Sequence, residues 1–318
     1  MEHSRSLNSC KLSVVVPAYN EGAAIRDFLT ALASTISHLV PQYEIIVVDD
    51  GSSDDMLDTL KTMVASLPLK VLRFSRNFGK EKAISAGLDH TTGDAVLIID
   101  ADFQHPFSVI PVFLDHWCQG FDNIYGVRDR KDQTLLNRWF ARSFYKMNRY
   151  LMSIELPAHA GDFRLMDRKM VDAIRTLPES NRFMKGLYAW VGFKGIGIPY
   201  EVQQRAIGKS HFNFFKLFNL AITGITSFSN WPLRIWSLVG AMISLSALVY
   251  GIWILVDTLF YGNSVPGWAT LAVGVLFLGG IQLLSIGVIA EYIARIFTEV
   301  KRRPNYIISD IIEKIPRT

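Results

Sequence analysis

A chain of 318 residues that is 50% hydrophobic and 19% charged has fewer charges than an ordinary soluble enzyme, which carries about 25%. Its 12% aromatic content excludes a disordered chain, so the apolar surplus must enter a core, a bilayer or both. The formal charge of +4 suits an anionic partner, and two distant cysteines, Cys10 and Cys118, form neither a disulfide framework nor a zinc motif.

Met1 to Lys11 is polar and lacks the apolar centre of a signal peptide, so no cleaved leader is expected. From Leu12 onward, short β-branched runs alternate with longer amphipathic stretches. Strands are expected at Leu12 to Val16, Glu44 to Val48, Lys70 to Phe74 and Ala95 to Ile99, with helices around Ala23 to Leu39, Asp54 to Ser66 and Lys80 to His90 between them. That alternation predicts a mostly parallel sheet with helical crossovers.

Each strand is followed by a polar, turn-rich segment: Pro17-Ala-Tyr-Asn-Glu21, Asp49-Asp-Gly-Ser-Ser-Asp54, Ser75-Arg-Asn-Phe-Gly-Lys80 and Asp100-Ala-Asp-Phe-Gln-His105. In a parallel sheet these loops leave at one edge, where α/β folds bind ligands. The dinucleotide fingerprint Gly-x-Gly-x-x-Gly and the P-loop pattern are both missing, which weighs against an oxidoreductase and a nucleoside triphosphatase. Asp100 and Asp102, one residue apart at a strand end, would point the same way and could hold a hard divalent cation, with Gln104 as a third oxygen ligand. The plainer alternative is an Asx turn that caps a helix.

Further along come a strand-like run, Asn123 to Val127, ending at Arg128, and a helical stretch bearing Arg138, Arg142 and Ser143. An acidic turn, Gly161-Asp162, follows, and then Arg205 just ahead of a Phe-rich segment, Phe212 to Phe228, whose apolar and polar stripes suit a helix lying on a membrane. Histidines 105 and 159 are read as surface or packing residues. Two uncharged stretches, Ile235 to Val256 and Trp268 to Ala290, each match the roughly 20 residues that cross about 30 Å of hydrocarbon. Arg234 before them and Lys301, Arg302 and Arg303 after them place both termini in the cytoplasm. After Pro304, the pairs Ile307/Ile308 and Ile311/Ile312, then Ile315, suggest a second interfacial helix. The expected units are therefore 1–208 catalytic, 209–231 interfacial, 232–297 transmembrane and 298–318 an amphipathic cytoplasmic tail.

The set Pro17-Ala-Tyr-Asn-Glu21, Val48-Asp-Asp-Gly-Ser-Ser-Asp54 and Asp100-Ala-Asp102 resembles family-2 glycosyltransferases of the GT-A fold. Gly161-Asp-Phe-Arg-Leu-Met166, Arg205-Ala-Ile-Gly-Lys-Ser-His-Phe212 and the two C-terminal spans are similar to polyprenyl-phosphate glycosyltransferases, closest in layout to the bactoprenol glucosyltransferases of the GtrB type. The resemblance covers Leu12 to about Arg303. It implies an α/β, Rossmann-like GT-A domain followed by interfacial helices and two transmembrane helices, in a protein integral to the plasma (inner) membrane.

The resemblance also implies site roles. Pro17, Tyr19, Glu21 and Asp50 would frame the nucleotide sugar. Asp100 would lie near the ribose or the metal, and Asp102 and Gln104 would hold Mg²⁺ or Mn²⁺ on the diphosphate. Arg128, Arg138, Ser143 and Arg205 would bind the acceptor phosphate, and Asp162 would act at the anomeric carbon or orient the sugar. A phosphate acceptor is already an anion at neutral pH, so the site needs cations more than a strong base. The implied reaction is inverting transfer, with glucose from UDP-glucose the favoured case and GDP-mannose the alternative. Two spans are too few for an alternating-access transporter or flippase, and a processive synthase would carry a Gln-x-x-Arg-Trp type of motif that this chain lacks. The implied partners are a nucleotide sugar, a polyprenyl phosphate and the membrane, not nucleic acid; Trp-, Phe- and Gly-rich spans could also support a homo-oligomer.

Overall fold

The structure, a computed structural model, describes residues 5–129, 160–179, 182–201, 231–261 and 267–314. The predicted alternation is present. Strands β1 (Lys11–Ala18), β2 (Gln42–Asp49), β3 (Leu69–Phe74) and β4 (Ala95–Ile98) are separated by helices α1 (Gly22–Ser37), α2 (Met56–Met63) and α3 (Lys80–Asp89). Helix α4 (Val109–Cys118), strands β5 (Asn123–Asp129) and β6 (Ala160–Asp167), helices α5 (Arg168–Arg175) and α6 (Met184–Trp190) and strand β7 (Gly195–Glu201) complete the N-terminal part. Two long helices, α7 (Trp231–Tyr261) and α8 (Trp268–Val300), precede a last strand, β8 (Ile308–Glu313).

The eight strands form one sheet in the order β7-β5-β6-β4-β1-β2-β3-β8. The β3-β2-β1-β4 portion is parallel throughout, as expected. The sheet as a whole is mixed, because β6 runs antiparallel to both β4 and β5, and β8 runs antiparallel to β3. Its central strands read as unbroken apolar runs because both faces are covered. Ile25, Phe28, Leu32 and Ile36 of α1, Met56 and Leu60 of α2 and Phe113 and Trp117 of α4 pack on Val14, Val16, Val47 and Leu97. On the other face Ile84 and Leu88 of α3, Met170 and Ile174 of α5 and Leu187 of α6 pack on Val15, Val96 and Ile98.

One expectation is corrected. Ile308, Ile311 and Ile312 do not lie in an interfacial helix: 308–313 is the edge strand β8, which supplies the partner that the open backbone of β3 requires, and Ile315 lies outside the described residues. A register irregularity between Arg73 and Phe74 lets Ile308 and Ile312 pack on opposite faces of the sheet, one beside Phe74 and the other against the main core. The predicted interfacial helix at 212–228 lies outside the described residues.

Helices α7 and α8 contain the two predicted spans, and within α8 the stretch Phe277–Val300 is long and apolar enough to cross a membrane. Many of their described apolar side chains are exposed, Phe260 to 78% and Leu283 to 71%.

Candidate active site

Strand direction alone gathers the site. The carboxyl ends of β1 to β4 open at one edge of the sheet, and the start of the antiparallel strand β6 reaches the same edge. Ile98 of β4 pairs with Arg164 of β6; continuing that register by two residues brings Asp100 opposite Asp162. The parallel pair β5 and β7 ends there as well, with Arg128 beside Tyr200. A crevice at the edge where the chain turns from β1 to its neighbours on either side is the usual ligand position in such sheets.

The first two loops are interlocked. Asn20, at φ 54°, donates its backbone N–H to Ser52 Oγ at 2.9 Å, and its Oδ1 accepts from Ser53 N at 2.9 Å. Asp54 Oδ2 accepts from Gly22 N at 2.8 Å at the start of α1. Gly51 has φ 70°, and a side chain there would meet the backbone of Arg76 at 2.4 Å, so the turn requires glycine. Pro17 is buried at the end of β1, whereas Tyr19 is exposed at the mouth and Glu21 half-buried at the start of α1.

Asp50 is committed to the third loop. Its Oδ1 accepts from Phe78 N at 2.7 Å and its Oδ2 from Gly79 N at 2.9 Å. The carboxylate thereby shapes the entry to α3 at the helix end that favours negative charge. Burial pushes the Asp50 carboxyl up, against those two backbone hydrogen bonds.

Lys80, the first residue of α3, occupies the centre. Its Nζ lies 2.7 Å from Asp100 Oδ1, 2.8 Å from Asp100 Oδ2 and 3.0 Å from Asp162 Oδ2. Burial opposes the charge on Asp100, and Lys80 with a hydrogen bond from His105 overcomes it, holding that carboxyl well below the usual carboxylate range. Burial also works against Asp162, but Lys80 and Lys185 more than offset it and lower its pKa. Lys80 itself is held above the ordinary lysine value: burial lowers it, and the two aspartates outweigh that.

Beneath this cluster lies a buried charged floor. The Arg164 guanidinium stacks 3.5 Å from the centre of the Tyr188 ring and donates through Nη2 to Gly161 O at 2.8 Å. Glu81 Oε2 accepts from Met184 N at 3.0 Å, tying α3 to α6. Burial and the negative charge of Asp162 raise the Glu81 carboxyl to about 7. Three buried atoms of this cluster have no hydrogen-bond partner among the described residues: Asp162 Oδ1, Arg164 Nε and the Tyr188 hydroxyl. Since buried polar atoms are nearly always satisfied, the partnerless carboxylate oxygen of Asp162, beside Lys80, is a candidate ligand position.

Asp100 and Asp102 sit in a turn past the end of β4, not in extended strand geometry, and Phe103 in that turn has φ 58°. Asp102 Oδ1 accepts from Gln104 N at 3.1 Å, which is the Asx turn the sequence left as an alternative. Asp102 and Gln104 are half-buried side by side, whereas both oxygens of Asp100 are engaged by Lys80 and one also by His105.

The structure therefore brings Asp100, Asp102, Gln104, Arg128 and Asp162 to one edge, with Asp50 behind the third loop. Arg138, Arg142, Ser143, Arg205 and His159 lie outside the described residues. Sequence reasoning missed Lys80, Glu81 and Tyr200 and set His105 aside. His105 is 2% exposed, with Nε2 3.3 Å from Asp100 Oδ2 and Nδ1 2.9 Å from the Tyr200 hydroxyl. A cation at the first helical position after an acid-rich set of loops was the one signal in the sequence for Lys80.

This α/β domain, with acidic and turn-rich loops gathered at one sheet edge and two long apolar helices after it, is a glycosyltransferase by its family match and its relatives. Residues 13–175 match the family described as Glycosyl transferase family 2, and residues 231–296 match the GtrB C-terminal hairpin. The chain belongs to glycosyl transferase family 2. It is 46% identical over 301 residues to the SfII prophage-derived bactoprenol glucosyl transferase of Shigella flexneri, covering 94% of this chain and 97% of that one. It is 44% identical to the prophage bactoprenol glucosyl transferase homolog of Escherichia coli, covering 95% and 99%. An uncharacterised glycosyltransferase of Synechocystis matches at 44% over 96% and 98%. Among solved structures, glucosyl-3-phosphoglycerate synthase of Mycobacterium tuberculosis aligns with TM-score 0.44 at 20% identity, covering 69% of this chain and 78% of that one.

Proposed function

We propose that the protein transfers glucose from UDP-glucose to the phosphate of a membrane polyprenyl phosphate, with inversion at the anomeric carbon, on the cytoplasmic face. The observation that carries this reading is Asp162: its carboxylate is ionised by neighbouring lysines, one oxygen is bound to Lys80, and the other is buried without a partner beside Asp100. A fixed anion with one open acceptor position suits a sugar hydroxyl. It suits less well a base that must take a proton, because the lysines lower its proton affinity. A phosphate acceptor does not ask for such a base.

In this reading the donor lies along the first, second and fourth loops, with Pro17, Tyr19 and Glu21 at its nucleotide end and Asp50 holding the third loop that closes on it. The likeness over nearly the full length to chains named bactoprenol glucosyl transferases supports a lipid acceptor. Arg128, at the edge end of β5 and half-buried, is the described cation suited to grip the acceptor phosphate in its planar fork. Arg138, Ser143 and Arg205 are assigned with it.

A divalent cation fits the donor set that Asp102 and Gln104 present: two oxygen ligands from the protein, with diphosphate oxygens and water completing the shell, is the usual way Mg²⁺ is held. Asp100, already clamped by Lys80, serves that set as an organiser rather than a ligand. When bound, Mg²⁺ or Mn²⁺ would neutralise charge developing on the leaving diphosphate. The chain's own contribution is to hold the sugar against Asp162 and bring a second anion close to the first with arginine and lysine charges.

A long prenyl chain is too costly to withdraw from the bilayer, so the site must come to the interface. The exposed apolar side chains of α7 and α8 support insertion of the hairpin as two spans, and Arg234 with Lys301, Arg302 and Arg303 supports a cytoplasmic side for both termini. The returning chain meets the sheet at the site's own edge: Ser75 N donates to Ile307 O at 3.0 Å, and Tyr306 stacks on Phe74 with ring centres 5.2 Å apart. Titration with UDP and GDP tests the donor half of the proposal. Binding of UDP with GDP at least tenfold weaker is expected, and the reverse order would favour a GDP-mannose donor.

A further inference from the structure

Phe163, on β6, points away from its neighbours Asp162 and Arg164 and makes one wall of an aromatic box. His105 stacks against it at 4.7 Å and 21°, and Tyr200 from β7 meets it edge-on at 5.7 Å and 79°. Space for the box comes from Gly126 on β5, where a methyl group would lie 2.6 Å from Tyr200 and 3.0 Å from Phe163. The imidazole is thus fixed on both sides by packing.

The polar atoms of the box join into one line. Arg128 Nε donates to the Tyr200 hydroxyl oxygen at 3.3 Å, Tyr200 Oη is 2.9 Å from His105 Nδ1, and His105 Nε2 is 3.3 Å from Asp100 Oδ2. Lys80 then joins Asp100 to Asp162. Arginine can only donate and a carboxylate can only accept, which fixes the two ends of the line; with an imidazole protonated on Nε2 alone, the Tyr200 hydroxyl donates to Nδ1. A neutral imidazole of that tautomer satisfies all the contacts.

We infer that Tyr200 and His105 are positioning residues that couple the acceptor arginine Arg128 to the donor-side carboxylate Asp100. The inference rests on the reading of Arg128 as a ligand of the acceptor phosphate. Each end of the line belongs to a different half of the site: Arg128 to the β5/β7 end of the sheet, Asp100 to the β4 loop. Neither Tyr200 nor His105 touches the reacting atoms. Their part is to hold the guanidinium and the carboxylate in a fixed mutual geometry, so that acceptor and donor are presented to each other in one arrangement. Near-attack geometry of this kind is sensitive to small displacements.

The test is a double-mutant cycle on the full chain in detergent, with Tyr200→Phe and His105→Asn. Tyr200→Phe keeps the ring and its packing and removes only the hydroxyl. His105→Asn keeps a polar atom near Tyr200 but cannot reach Asp100. Each single variant is expected to lower kcat/KM for polyprenyl phosphate about five- to tenfold, the worth of one hydrogen bond to a charged or polar partner. In Tyr200→Phe the loss falls on the KM of the lipid, while UDP affinity by titration stays at the wild-type value. The double variant is expected to be no worse than the poorer single, because either change cuts the same line. Wild-type lipid kinetics in Tyr200→Phe, or losses that multiply in the double variant, would overturn the inference while leaving the proposed activity standing. A wild-type protein that transfers no sugar to polyprenyl phosphate removes the activity and the inference together.

Discussion

Lys80 and Asp162 are joined at 3.0 Å although one begins a helix on the parallel half of the sheet and the other begins an antiparallel strand. Asp100 lies 2.7 Å from the same ammonium, so one cation bridges two neighbouring carboxylates and is the largest charge keeping both ionised. Lys80→Met should leave them repelling each other and lower kcat on the order of 100-fold, the size of effect seen when one preorganised charge is removed. Lys80→Arg should retain part of the rate. Steady-state kinetics on the two variants decide this, and near-normal turnover in Lys80→Met would contradict a central role for the ammonium.

Glu81 gives a pH signature. Its neighbours are Asp162 on β6, Lys80 on α3, Lys185 on α6 and the Met184 N–H, with Arg164 in the floor below. Burial first, and the Asp162 charge second, raise the folded-state pKa from 4.5 to about 7. The folded protein therefore binds the proton more tightly than the unfolded chain. Stability from this group is fully present below about pH 4.5 and is lost as pH rises through 7. Glu81→Gln should flatten the decline in thermal midpoint between pH 5 and 7.5 that the wild type is expected to show, measured in buffers of matched ionic strength. A slope unchanged by the substitution would assign the decline to other groups.

Asp102 carries the metal prediction. Asp102→Ala should abolish metal-dependent transfer, with the fold intact by circular dichroism and with Mn²⁺ binding lost in an electron paramagnetic resonance titration. The Asx turn it makes with Gln104 N is a part-buried hydrogen bond, whose loss should cost about 1 kcal/mol of stability. Unaltered turnover in Asp102→Ala would remove the metal from this position.

Tyr306 tests the strap formed by the chain after the hairpin. Its hydroxyl donates to Asp89 Oδ2 at 2.7 Å and its ring stacks on Phe74, while Asn305 Nδ2 donates to Glu179 O at 3.3 Å. Tyr306→Ala should lower the thermal midpoint by several degrees, corresponding to about 2 to 4 kcal/mol for an aromatic side chain removed from a packed site. Tyr306→Phe should cost only the hydrogen bond, about 1 kcal/mol. Equal midpoints for wild type and Tyr306→Ala would show that the strap bears no load.

Much of the fold was legible because central strands such as Val14-Val-Val16 and Ile45-Ile-Val-Val48 are apolar on both faces, and because amphipathic helices of α1's type keep a regular spacing. The loops at the carboxyl ends of those strands followed from strand direction. The tail was misread because isoleucines at 307, 308, 311, 312 and 315 satisfy a helical period equally well. What decided for a strand was the open edge of β3, a tertiary fact. Lys80, His105 and Tyr200 were missed for a related reason. They act on Asp100, Asp162 and one another across separations of 5 to 95 residues, and a single histidine or tyrosine in a loop or edge strand carries no local pattern. Asp162 was found through motif resemblance, and the register of β4 with β6 supplies the physical reason for its place.

The central claim is lipid-phosphate glucosylation by this chain alone. Purified full-length protein should be incubated with UDP-glucose, an undecaprenyl phosphate and Mg²⁺ in detergent, and the lipid fraction analysed by mass spectrometry and by the anomeric coupling of its sugar. One glucose per lipid phosphate, in the β configuration and formed without a second protein, is the predicted result. A lipid fraction with no sugar, with several sugars per lipid, or with an α linkage would contradict it.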